Sequence, residues 1–131
     1  MRETLLRLAV VIAGGGLGSG VRYGVQELAA RRFGPLFPVG TFAVNVLGSL
    51  AMGALMYLAV STPHLRDTWR LALCTGVLGG FTTYSAFNYE TVRYFQQGQG
   101  ALGALYLFVT VAGCVLAGLA GHFGARALAG G

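Results

Sequence analysis

Four stretches of this chain carry no charged side chain: residues 8–21, 33–65, 71–89 and 94–125. A helix rises about 1.5 Å per residue, so about 20 apolar residues cross the hydrocarbon core of a bilayer. The three longer runs suffice alone, and the first suffices with its flanks. Hydrophobic residues make up 55% of the 131 positions and charged residues 10%, far from the soluble average. The reading is one all-α membrane domain over residues 1–131, multi-pass in the cell inner (plasma) membrane. Four transmembrane helices are expected at roughly residues 5–30, 38–60, 68–95 and 101–127, the third broken near 79–83. The first run is not a signal peptide, because a glycine-rich stretch and a second span follow it in place of an A-x-A-like site and a polar domain.

All nine basic residues are arginine, against the four acids Glu3, Glu27, Asp67 and Glu90. A net charge of +5 favours anions locally or anchorage to anionic lipid; no nucleic-acid partner is expected. With four spans, Arg2, Arg7, Arg66, Arg70 and Arg126 share one side of the membrane, and Arg31, Arg32 and Arg93 the other. So small a bias barely selects an orientation. It permits insertion both ways round, and hence an antiparallel dimer.

Several motifs are excluded. GGGLGSGVRYG, from Gly14 to Gly24, superficially resembles a dinucleotide loop, but the register of G-x-G-x-x-G meets Ser19 or Val21 where glycine is needed. Its glycines recur at four-residue intervals, Gly14 and Gly18, then Gly16, Gly20 and Gly24, which suits close helix packing. Cys74 and Cys114 lie within spans without metal-ligand spacing, and His64 and His122 are isolated. No nucleophile has a base beside it, so no enzymatic chemistry is expected. Gly34, Pro35 and Pro38 separate the first two helices, and QQGQG the last two. Trp69 falls where interfacial tryptophans sit.

Polar residues inside the spans carry the functional information. Thr41, Asn45 and Ser49 share one helical face, and so do Tyr106, Thr110 and Cys114. Each stripe alone is compatible with helix-to-helix adhesion; together they can line a polar track. In GVLGGFTTYSAF, Gly76 to Phe87, two glycines weaken the helix and Thr82, Thr83 and Ser85 compete for backbone groups. Unwound backbone at membrane depth is tolerated where it is buried or lines a cavity, and its carbonyls can coordinate a cation. A glycine-mediated crossing without unwinding is the alternative. Tyr84 and Phe87, on adjoining positions, could offer positive ring edges to an anion or simply pack. Arg22 either snorkels to the interface or forms an electropositive vestibule. Glu90 could cap a neighbouring hydrogen-bond network or contact Arg93.

At these residues the chain resembles the fluoride channel family called Fluc, or CrcB. The segments that carry the likeness are GGGLGSGVRY, FPVGTFAVNVLGS and GVLGGFTTYSAF, in order across the first three helices. The resemblance implies a dual-topology antiparallel homodimer with two pores, which passively exports cytoplasmic fluoride across the lipid bilayer. It also implies a structural sodium ion at the dimer centre, held by main-chain carbonyls that map to Gly79 and Gly80. The pore aromatics map to Tyr84 and Phe87, the pore asparagine to Asn45, and the helix-four track to Tyr106, Thr110 and Cys114, with Ser85 as a local donor. Tyr84 stands where the family usually has phenylalanine, Ala86 replaces a hydroxyl residue, and Cys114 is a weak donor where serine would be expected. A small multidrug transporter shares four helices and dual topology but needs a carboxylate deep in the membrane, and Glu27 and Glu90 are close to span ends. A purely structural subunit would explain the glycines but not two polar stripes beside a weakened aromatic helix.

Overall fold

The structure is a computed structural model that describes residues 1–61 and 67–130; the readings that concern His64 and Arg66 lie outside them. The described residues are helical and contain no strand. Helix α1 (Arg2–Phe33) and α2 (Val39–Ser61) are followed by α3 (Asp67–Arg70). That short helix runs into a π-helical segment (Leu71–Leu78) and a last turn, α4 (Gly79–Phe81). Helices α5 (Tyr84–Gln96) and α6 (Gly100–Leu128) complete the chain. Among the described residues, α1, α2 and α6 are each long and apolar enough to cross a membrane.

Local chemistry sets the ends of these helices. Gly34 leaves α1 with φ of 76°, a left-handed conformation that only glycine adopts without steric cost, and its N–H returns to the Ala30 carbonyl. After α5, the Gly98 N–H bonds Phe95 O at 3.1 Å and the Gln99 N–H bonds Tyr94 O at 2.9 Å. This double closure is a Schellman motif with Gly98 at φ of 72°. Gly98→Ala is therefore expected to destabilise the protein by about 1 kcal/mol, read as a lower melting temperature in detergent. The two openings described below should be unaffected, because Gly98 lines neither.

Between α4 and α5 the helix stops. Thr82 (φ −81°, ψ 157°) and Thr83 (φ −149°, ψ 113°) are extended. Gly79 and Gly80 themselves remain helical. The interruption falls after the glycines because two side chains determine it. Asn45, on α2, takes the Thr83 N–H on Oδ1 at 2.8 Å and donates from Nδ2 to the Thr83 carbonyl at 3.0 Å. The Thr83 hydroxyl then accepts from Ala86 N–H at 3.2 Å and caps α5. Buried backbone groups thus keep partners without a continuous helix.

Packing is built on glycine. The broadest contacts are α2 on α6 and α1 on the π-helical segment and α4. A Cβ at Gly18 would overlap the Val77 carbonyl, and one at Gly14 would lie 2.8 Å from Ala72 O. A Cβ at Gly121 would overlap the Leu50 carbonyl, and one at Gly53 the Gly118 carbonyl. With hydrocarbon around them, helices gain little from hiding apolar side chains, so backbone proximity and dispersion hold them together. Gly16, Gly20 and Gly24 have nothing within 4 Å and belong to the opposite face of α1. The large apolar residues Leu17, Phe108 and Leu116 point outward, as a lipid-facing surface requires. The only cluster of buried hydrophobics among the described residues is aromatic: Phe87, Tyr94 and Tyr106, flanked by Phe37, Phe42 and Leu102.

Candidate functional site

The aromatic cluster separates two openings. On one side α2, α5 and α6 enclose a groove of about 810 Å³ that is lined by Asn45, Ser49, Thr83, Tyr84, Phe87, Thr110, Cys114 and His122. On the other side a cavity of about 600 Å³ lies between α1, the loop after it and α5, with Gln26, Thr41, Glu90 and Arg93 in its wall. The two polar stripes run from one opening towards the other. Asn45 and Ser49 face the groove while Thr41 faces the cavity. Thr110 and Cys114 face the groove while Tyr106 is fully buried at the partition.

Phe87 and Tyr106 form the partition, ring centroids 5.3 Å apart and inclined at 61°, and Phe37 meets Tyr106 edge-on at 5.2 Å. Tyr84 stacks at an angle on Phe87, centroids 6.0 Å apart. Such edge-to-face contacts fix ring orientation and so the direction in which the electropositive edges point. Phe87 is buried, whereas Tyr84 is 77% exposed and stands proud of the groove.

Donor chemistry in the groove is sparse and located. Thr110, 3% exposed, has a hydroxyl without a hydrogen-bond partner among the described residues. An unsatisfied buried hydroxyl is costly, and Thr110 can donate to a hydrogen-bond acceptor that enters the groove. Asn45 spends its carbonyl and one N–H on Thr83, and its second N–H is left for the groove. Cys114 is half-buried one turn beyond Thr110. Ser85 is exposed, 3.3 Å from the Thr83 hydroxyl, and does not line the groove.

The fold also assembles a linked set of polar residues that the sequence left apart. Tyr106 OH donates to Glu90 Oε2 at 2.7 Å, Thr41 Oγ1 donates to Glu90 Oε1 at 2.7 Å, and Gln26 Nε2 donates to Thr41 Oγ1 at 3.0 Å. Glu90 is thus the centre of a network and makes no ion pair with Arg93 among the described residues. The available signal was the i, i+3, i+7 spacing of Ser19, Arg22 and Gln26, which puts them on one face of α1. All three turn inward. Ser19 Oγ and Arg22 Nε both donate to the Gly80 carbonyl, at 3.3 and 3.1 Å.

Arg22 therefore braces the end of α4. The Gly80 carbonyl accepts from both Ser19 and Arg22, so both of its lone pairs are engaged in this arrangement. Gly79 differs. Its usual helical donor, the Thr83 N–H, is bonded to Asn45, which frees the Gly79 carbonyl on an exposed part of the chain. No group of three or more His, Cys, Asp or Glu side chains that could hold a metal occurs among the described residues.

Comparison with known proteins gives a consistent result. Residues 9–122 match the family described as CrcB-like protein, Camphor Resistance (CrcB). A protein of Anaeromyxobacter sp. (strain K), named fluoride-specific ion channel FluC, is 47% identical over 126 residues, which cover 96% of this chain and all of that protein. A FluC of Sorangium cellulosum (strain So ce56) is 47% identical over 115 residues, 88% of this chain and 91% of that one. A FluC of Methylobacterium nodulans is 46% identical over 117 residues, 89% and 90% of the two chains. Each is named as an ion channel and none as an enzyme. With three helices long enough to span a bilayer and a family match over most of its length, this chain is a multi-pass membrane protein that belongs to the CrcB family.

Proposed function

We propose that the protein is a fluoride-selective channel that lets cytoplasmic fluoride leave the cell passively, and that it works as an antiparallel dual-topology homodimer with two pores. The observation that carries this reading is the groove: Asn45, Phe87, Thr110 and Cys114 line it together, with an unpartnered buried hydroxyl in its wall. The relatives named FluC support it. In this reading Asp67–Gln96 is a fourth span, interrupted at Thr82 and Thr83, and the groove becomes a closed pore only when a second protomer covers it.

Fluoride is small and strongly hydrated, so a pore must replace its water with close donors while binding too weakly to trap it. The Thr110 hydroxyl and the second Asn45 N–H provide those donors on the groove side. Beyond them Phe87, with Tyr84, presents ring edges in a passage too apolar for a larger anion to gain by entering. Tyr106 is a wall and not a donor, because its hydroxyl is committed to Glu90. Ser85 has a place in the path only if the partner protomer brings the groove to it.

The implied sodium ion is compatible with Gly79 and not with Gly80. The freed Gly79 carbonyl is a neutral oxygen donor of the kind hard cations take, and Gly79 carbonyls from both protomers would hold the ion. When bound it supplies fixed positive charge at the dimer axis. If so, exchanging sodium for a large organic cation should lower the thermal stability of the dimer, and indifference to sodium would remove the ion from the account. In cells, expression of the chain in a bacterium without a fluoride exporter should restore growth in fluoride. Failure of a well-expressed protein to do so would count against the channel reading.

A further inference from the structure

We infer that Gln26 is a positioning residue for conduction, the one that sets the direction of the hydrogen bonds between the cavity and the aromatic partition; this rests on the channel reading above. Direction follows from which atoms can donate. The Gln26 Nε2 group has protons and no lone pair to offer, so at 3.0 Å from Thr41 Oγ1 it must be the donor. Thr41 then has its single proton for one use only, and that proton points at Glu90 Oε1, 2.7 Å away. Tyr106 points its own proton at Glu90 Oε2. Both carboxylate oxygens are held, and while Glu90 is ionised and Gln26 presents Nε2 the order runs from Gln26 to Thr41 to Glu90.

Place reinforces direction. Thr41 is 2% exposed, whereas Gln26, like Glu90, is half-buried in the cavity wall. Its second N–H is the donor that an anion in the cavity would meet before reaching Thr41. The charged and titratable groups around it are Arg22, Tyr23 and Glu27 on α1, Glu90, Arg93 and Tyr94 on α5, and Tyr106 on α6. Helix α2 contributes Thr41 and no ionisable side chain there. Without the amide the Thr41 hydroxyl is free to turn from Glu90, which leaves a carboxylate oxygen bare beside the anion path.

The test is fluoride efflux from liposomes, corrected for protein-free vesicles and expressed relative to the unaltered protein at the same pH. Gln26→Leu should lower the relative rate about tenfold at both neutral and mildly acidic pH, the size expected for one lost hydrogen bond that is partly buried. Gln26→Glu should lower it at least as much at neutral pH, because a carboxylate accepts where the amide donated. At mildly acidic pH the introduced carboxyl is protonated, can donate to Thr41 again, and should recover most of the rate. In a Thr41→Val background neither change should have a further effect. Should Gln26→Glu not assemble, the comparison of Gln26→Leu with and without Thr41→Val decides the matter. Unchanged rates at neutral pH, equal deficits with and without Thr41, or a Gln26→Glu deficit that ignores pH would overturn the proposal. Absence of efflux from the unaltered protein would instead overturn the channel reading on which it stands.

Discussion

Asn45→Asp should reduce fluoride efflux by about 100-fold or more while leaving the size of the purified assembly unchanged. The two side chains are nearly isosteric, so packing is preserved. What changes is the proton inventory. Asn45 Nδ2 donates to the Thr83 carbonyl and Oδ1 accepts from the Thr83 N–H. A carboxylate keeps the second bond, loses the first, and sets two acceptors face to face. It also puts a buried negative charge in the wall of the groove proposed to carry the anion. A lost buried hydrogen bond costs about 1–3 kcal/mol, an unpaired buried charge costs more, and each step of about 1.36 kcal/mol is a factor of ten in rate. Unchanged efflux would remove Asn45 from the path. An intermediate loss, with the assembly dissociated, would assign it to holding Thr83 alone.

The second large effect concerns assembly. Gly18→Val should prevent recovery of a folded protein, because even the Cβ would overlap the Val77 carbonyl and lie 2.9 Å from the Phe81 N. Backbone cannot yield as a side-chain tip can, so the cost should exceed the roughly 1–3 kcal/mol of ordinary overpacking. Gly16→Ala is the matched control on the same helix, where a Cβ meets nothing within 4 Å. Size-exclusion chromatography after detergent extraction separates the two outcomes. A well-behaved Gly18→Val protein would mean that α1 does not pack on the π-helical segment as described.

These two residues show what the sequence could disclose. Gly14 and Gly18 were legible as a packing face because their spacing is a local property of one helix. Which glycine face would be used was not legible, since Gly16, Gly20 and Gly24 have the same spacing and only the folded chain distinguishes them. The three helices long and apolar enough to cross a bilayer were legible because charge is so costly in lipid that runs as long as residues 33–65 and 94–125 without any charge are themselves the mark of a membrane segment. The extended residues were harder to place. Intrinsic propensity points to Gly79 and Gly80, yet these are helical, and the chain departs at Thr82 and Thr83 because Asn45, 38 positions away, supplies partners for Thr83.

The candidate site divides along the same line. Stripes such as Thr110 and Cys114 are read from a four-residue interval. The set of Gln26, Thr41, Glu90 and Tyr106 draws one residue from each of α1, α2, α5 and α6, so the spacing on α1 points to its first member and no interval joins the four. Likewise Gly80 looked equivalent to Gly79 until Ser19 and Arg22 were found on its carbonyl.

Whether the groove lined by Asn45, Phe87 and Thr110 conducts fluoride is tested most directly by ion efflux from liposomes that hold the purified protein. With potential clamped by a potassium ionophore, fluoride should leave within the mixing time of the electrode and chloride should stay behind. Retention of fluoride, or chloride release at a comparable rate, would contradict conduction through this groove.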